Sequence, residues 1–228
     1  MADIYTRLAA VRQRIADGAQ AAARAEDSVH LLAVSKTFGA AAVRAAYAAG
    51  QHDFGENYLQ EALEKRAALA DLPLIWHFIG PLQSNKTRAI AENFDWVHSV
   101  DRIRIATRLG EQRPAQLMPL QVCVQVNISG EVSKSGCAPA DAAALCDAIA
   151  AQPGLNLRGL MTIPAPGPDH EVRAAFRTLR ELYESLRRQG HELDTLSIGM
   201  SDDLETAIAE GSTLVRVGSA IFGSRPAR

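Results

Sequence analysis

Eight short runs of strand length alternate along this chain with stretches of helical spacing, and that alternation restricts the fold more than any other feature. An opening helix precedes it, from Asp3 to about Ala25, with Ile4, Leu8, Val11 and Ile15 three or four residues apart on one face. The strand candidates are Val29 to Ser35, Asp53 to Glu56, Leu74 to Ile79, Asp95 to Val100, Leu120 to Asn127, Leu155 to Met161, Thr195 to Ile198 and Thr213 to Val217. Between them lie helical stretches from Gly39 to about Ala49, Tyr58 to Ala70, Asn85 to Ala91, Pro139 to Ala150, Glu171 to Gln189 and Asp202 to Glu210, and Asp101 is placed to cap a further one. This is the arithmetic of a (β/α)8 barrel with an extra N-terminal helix. The pattern alone leaves an open doubly wound sheet as its rival.

Strand ends are where the chemistry-bearing side chains gather. Lys36 follows the first strand, Glu56 and Asn57 end the second, His77 and Gly80 the third, and Asn127 the fifth. Met161 and Thr162 end the sixth strand, Gly199 and Ser201 follow the seventh, and Arg216, Gly218 and Ser219 finish the eighth. In a barrel these ends share one face, so residues far apart in sequence would line one site. Lys36 follows a mostly apolar run, and desolvation would favour its neutral, nucleophilic amine; the plainer reading is a side chain whose methylenes cover apolar surface. Arg216 interrupts Leu-Val-Arg-Val, so a buried guanidinium there needs a partner, either a carboxylate or a ligand ring nitrogen. The Gly-Ser pair after the last strand suits an anion, helped by the N-terminus of a following helix, and Ser201 suits the same anion unless it is merely an N-cap. Asn57 and Asn127 can orient a ligand or satisfy loop backbone, and His77 equally suits an inert core position.

Composition narrows the class of function. With 228 residues one barrel is the default, and residues 1–228 read as one domain. A net charge of -2 offers no overall attraction to nucleic acid, and Lys65, Lys86 and Arg88 add little local basicity. Cys123, Cys137 and Cys146 form no Cys-x-x-Cys unit, and neither His77 nor His98 has metal-ligand company, so no metal site is expected. The N-terminus lacks the layout of a secretory signal and no apolar run approaches a membrane span, so the expected compartment is cytoplasmic.

The ordered segments Ala33-Val34-Ser35-Lys36, Phe54-Gly55-Glu56-Asn57-Tyr58, Trp76 to Lys86, Val126 to Ser129 with Glu131 and Lys134-Ser135-Gly136, Leu157 to Met161, Leu196 to Asp202 and Gly211 to Gly218 with Ile221-Phe222-Gly223 resemble the YggS/PROSC-like family of pyridoxal 5'-phosphate (PLP) homeostasis proteins. The likeness runs from Ala33 to Gly223. It implies a PLP fold-type III barrel, like the N-terminal domain of alanine racemase but standing alone. By the same resemblance Lys36 forms an aldimine with PLP, Arg216 faces the pyridine nitrogen, Ser201, Gly218 and Ser219 receive the phosphate, and Asn57 lies beside the cofactor. Some relatives carry Thr where this chain has Ser219, which retains the hydroxyl.

Only Ser-Arg-Pro-Ala-Arg follows Gly223, too little for the second domain that gives racemases their opposing tyrosine. The expectation is therefore a PLP carrier or buffer in vitamin B6 and amino-acid homeostasis with no catalytic residue of its own. It would be a monomer in contact with amino acids and PLP-dependent apoenzymes, and a weak amino-acid racemase is the alternative.

Overall fold

Consecutive parallel strands require a crossover connection, and right-handed crossovers through helices stack the strands in sequence order. The computed structural model describes residues 3–131 and 135–224, and in it the eight strands close into a barrel in that order. They are β1 (His30–Val34), β2 (Asp53–Glu56), β3 (Ile75–Phe78), β4 (Trp96–Val100), β5 (Leu120–Gln125), β6 (Leu155–Met161), β7 (Thr195–Ser197) and β8 (Leu214–Val217). Closure is completed by the parallel pairing of β1 with β8, which sets Leu32 opposite Arg216. The barrel is therefore the architecture, and the open sheet is not.

Helix α1 (Ile4–Ala21) precedes the barrel, and each strand is followed by one helix: α2 (Ala40–Ala48), α3 (Leu59–Ala68), α4 (Thr87–Asn93), α5 (Ile103–Gln112), α6 (Ala142–Ala150), α7 (Asp169–Arg188), α8 (Leu204–Ala209) and α9 (Ser219–Phe222). Amphipathic spacing docks them. Helix α7 buries Phe176, Leu179, Tyr183 and Leu186, each removing enough apolar surface for about 1.5–3 kcal/mol, and the Tyr183 hydroxyl donates to the Leu193 carbonyl at 2.9 Å. Helix α1 opens on Asp3, whose carboxylate accepts from the Thr6 N–H at 2.8 Å, and it packs Leu8, Val11, Ile15 and Ala19 inward. It lies chiefly against α8 and α9 and covers the seam where the chain closes.

Several local expectations shift for definable reasons. Asp101 does not cap α5; its carboxylate pairs with Arg102 at 2.6 Å, and Arg102 takes the cap position with no side-chain bond to the helix. Helix α4 starts at Thr87, because residues 84–86 form a turn closed by the Lys86 N–H on the Gln83 carbonyl. Ser201 does not cap a helix at Asp202: residues 201–203 form a turn, and α8 starts at Leu204. Lys134, part of one quoted segment, and the Arg225 to Arg228 tail lie outside the described residues.

Among the described residues no helix is long and apolar enough to cross a membrane, and no group of three or more His, Cys, Asp or Glu side chains could hold a metal ion.

Candidate functional site

The ends of β1, β2, β7 and β8 surround a cavity of about 330 Å³, and Lys36, Asn57, Ser201, Arg216, Gly218 and Ser219 all line it. Six residues spread over most of the sequence are thus brought together by closure of the barrel. Ile79, Ile163 and Met200 add an apolar rim, the mixture of apolar wall and few polar groups that suits a small organic ligand. Asn127 is not among the lining residues; it organises its own loop, accepting from the Gly130 N–H at 3.1 Å and donating to the Glu131 carbonyl at 2.8 Å.

Lys36 is half-buried one residue beyond the fully buried Ser35, and the backbone turns sharply behind it. Thr37 has φ +69°, a left-handed conformation that a β-branched residue adopts only when its surroundings enforce it. Enforcement comes from α3. The Glu61 carboxylate accepts from the Thr37 N–H at 2.6 Å and from the Lys65 ammonium at 2.5 Å. Lys65, almost fully buried, donates further to the Ser35 carbonyl and to Glu56, each at 2.7 Å, while the Ser35 hydroxyl donates to the same Glu56 oxygen at 2.5 Å. Burial pushes the Glu56 carboxyl above its ordinary range against the pull of Lys65, and its other oxygen is buried without a hydrogen-bond partner among the described residues.

Across the cavity Arg216 is 4% exposed. Its guanidinium donates to the Ser197 carbonyl at 2.5 Å, the Ser197 hydroxyl at 2.8 Å and the Thr162 carbonyl at 2.9 Å. These three acceptors are neutral oxygens, so the carboxylate partner that the sequence allowed is not among them. Burial lowers the Arg216 pKa to about 10, which leaves it a cation at neutral pH.

Where the sequence places an anion cup, the cavity wall is made of hydroxyls and close backbone. Ser201 and Ser219 approach to 3.2 Å between hydroxyl oxygens. A Cβ at Gly218 would stand 3.1 Å from the Val34 carbonyl, so glycine lets β8 turn tightly against the end of β1. Helix α9 is a single turn of four residues, too short to supply the helix field expected of it. Arg14 braces the cup from outside: it pairs with Glu205 through two bonds of 2.8 and 2.9 Å and donates to the Ser201 carbonyl at 3.1 Å. On the β2 side the Asn57 amide oxygen is buried with no hydrogen-bond partner among the described residues. The loop after β3 packs on the Asn57 backbone so closely that a Cβ at Gly80 would come within 2.2 Å of its carbonyl oxygen.

Sequence reasoning missed the roles of Arg14, Glu61 and Lys65, left His77 open between a site residue and an inert core position, and weighed His98 only as a metal ligand. The Glu61 to Lys65 spacing of one helical turn was the only readable signal.

The family described as "Alanine racemase, N-terminal domain" matches residues 7–226. A curated relative from Pseudomonas aeruginosa, named pyridoxal phosphate homeostasis protein, is 63% identical and aligns over 99% of this chain and 97% of its own. The solved structure of PipY from Synechococcus elongatus with PLP bound is 41% identical, superposes with a TM-score of 0.85 and covers 97% of this chain and 100% of that one. The alanine racemase of Corynebacterium glutamicum, at 21% identity and a TM-score of 0.69, shares the fold over 62% of its chain.

Proposed function

We propose that this chain, which belongs to the alanine racemase N-terminal domain family, is a single-barrel pyridoxal 5'-phosphate binding protein of vitamin B6 homeostasis that holds its ligand reversibly through Lys36. The observation that carries the reading is the convergence of an amine, a guanidinium and paired serine hydroxyls on one cavity of about 330 Å³.

The donor set fits the ligand group by group. Lys36 offers an amine to an aldehyde, and the shaped turn at Thr37 fixes where that amine emerges. Ser201, Ser219 and the tight Gly218 backbone offer donors to a phosphate. Asn57 presents a buried acceptor still in need of a donor, which a ligand hydroxyl supplies. Arg216, being donor-only, suits an unprotonated ring nitrogen. When bound, PLP supplies a reactive aldehyde and an electron-accepting ring. A cationic donor against that nitrogen would discourage its protonation and leave a weaker electron sink than a pyridinium, which favours holding the ligand over turning substrate over.

The protein's role is accordingly that of a carrier or buffer, consistent with the name that its relative from Pseudomonas aeruginosa bears. Its exchange partners are amines, amino acids among them, and PLP-dependent apoenzymes in the cytoplasm, and the protein acts as a monomer. Incubation with PLP followed by borohydride reduction and peptide mass analysis should place the ligand on Lys36, and Lys36→Ala should abolish the adduct. Labelling spread over other lysines with Lys36 unmodified would refute the reading.

A further inference from the structure

A line of hydrogen bonds crosses the barrel interior behind Arg216. The Ser197 hydroxyl that accepts from Arg216 lies 2.8 Å from His98 Nδ1, although β4 and β7 are not neighbouring strands. His98 Nε2 lies 2.9 Å from His77 Nδ1, and His77 Nε2 lies 3.1 Å from the Asp53 carboxylate at the opposite mouth of the barrel. Both imidazoles are buried, whereas the Asp53 side chain is 40% exposed. Trp96 stacks on His77 with ring planes 10° apart and holds the chain in place.

With both imidazoles neutral and Asp53 ionised, the donors and acceptors in this line can be ordered in one way. Arg216 only donates, so Ser197 accepts from it and turns its own hydrogen toward His98 Nδ1. His98 then carries its hydrogen on Nε2 and donates it to His77 Nδ1. His77 carries its hydrogen on Nε2 and donates it to Asp53, which as a carboxylate only accepts. Burial above all, with the Arg216 cation also nearby, holds the His98 pKa well below its ordinary value, so His98 stays neutral. Asp53 thereby fixes the tautomer of each histidine in turn and, at the far end, the lone-pair direction of Ser197.

We propose that Asp53, His77, His98 and Ser197 form a one-directional relay of positioning residues that locks the Arg216 guanidinium toward the ring nitrogen of the bound ligand, an inference that rests on the PLP-binding reading. Three of the five N–H groups of Arg216 are held by Ser197 and Thr162, and the geometry leaves the remaining two for the cavity that Arg216 lines. Without the relay the Ser197 hydroxyl is free to turn, and the guanidinium loses the contact that sets its plane.

The test compares PLP with its carbocyclic analogue, in which the ring nitrogen is replaced by C–H. The parent protein should prefer PLP about tenfold, the scale of one hydrogen bond to a charged group. His98→Leu should bring that preference close to one while Lys36 still takes up both ligands. Asp53→Asn keeps an acceptor but loses the charge, and it should lower the preference roughly twofold at the exposed end of the line, where folding is little affected. In the ligand-free parent, nitrogen NMR of labelled histidine should find both His77 and His98 as Nε2–H tautomers. An Nδ1–H form of either histidine overturns the relay, as does a His98→Leu protein with the parent's preference or a parent that shows none. A parent that takes up neither ligand refutes the binding reading instead, and the relay is then decided by the tautomers alone.

Discussion

On the β1 and β2 side of the cavity, Glu56, Glu61 and Lys65 converge on one another beneath Lys36, two carboxylates around one buried ammonium. Behind Arg216 the supporting groups are instead strung in line, from β8 through Ser197 of β7, His98 of β4 and His77 of β3 to Asp53 of β2, with Arg216 at one end and a carboxylate at the other. A closed charged cluster concentrates its energy in each member, since removal of one leaves another charge buried and unpaired. A neutral line spreads the cost over single hydrogen bonds, each worth about 1 kcal/mol. The lysine side is therefore built to be rigid and intolerant, and the arginine side to be directional and forgiving.

The largest effect that would break this comparison is at Lys65. Lys65→Met leaves Glu56 and Glu61 without their cation and should cost about 3–5 kcal/mol in denaturant unfolding. A loss below about 1 kcal/mol would show the cluster to be no stronger than a surface pair. Next comes Ser197→Ala, which takes one acceptor from Arg216 and the donor from His98 and should cost about 1–3 kcal/mol by the same measurement. A cost equal to that of Lys65→Met would erase the distinction between the two sides.

The smallest effect is a pH slope. Because burial raises the Glu56 carboxyl above its usual 4.5, the native state holds that proton more readily than the unfolded chain. Its contribution to stability is therefore greatest below 4.5 and falls as pH rises from there through the raised native value. Glu56→Gln should flatten stability over that window, and a parent whose stability rose there with no change in the variant would contradict the sign.

The order of strands was legible because apolar runs and turn residues punctuate this chain cleanly; β2 and β6 have the bounds that the sequence suggested. The cavity was legible for the same reason, since strand ends in a barrel share one face and Lys36, Asn57, Ser201, Arg216, Gly218 and Ser219 all sit at such ends. What supports them was not. Lys65 reads as an ordinary cation on an amphipathic helix, and only the approach of α3 to the β1 end places its amine on the Ser35 carbonyl. His98 and Ser197 meet across the barrel from residues 99 apart in sequence, a distance that no local pattern encodes.

The brace from Arg14 to the Ser201 carbonyl joins residues 187 apart, and β8 pairs with β1. During synthesis the first helix and the lysine strand leave the ribosome long before the Ser201 turn and the last strand. A nascent chain therefore carries Lys36 with no cup to select what its amine meets. Under the proposed function, ligand capture becomes specific only after the last strand has docked beside the first, so binding competence doubles as a report that the barrel has closed.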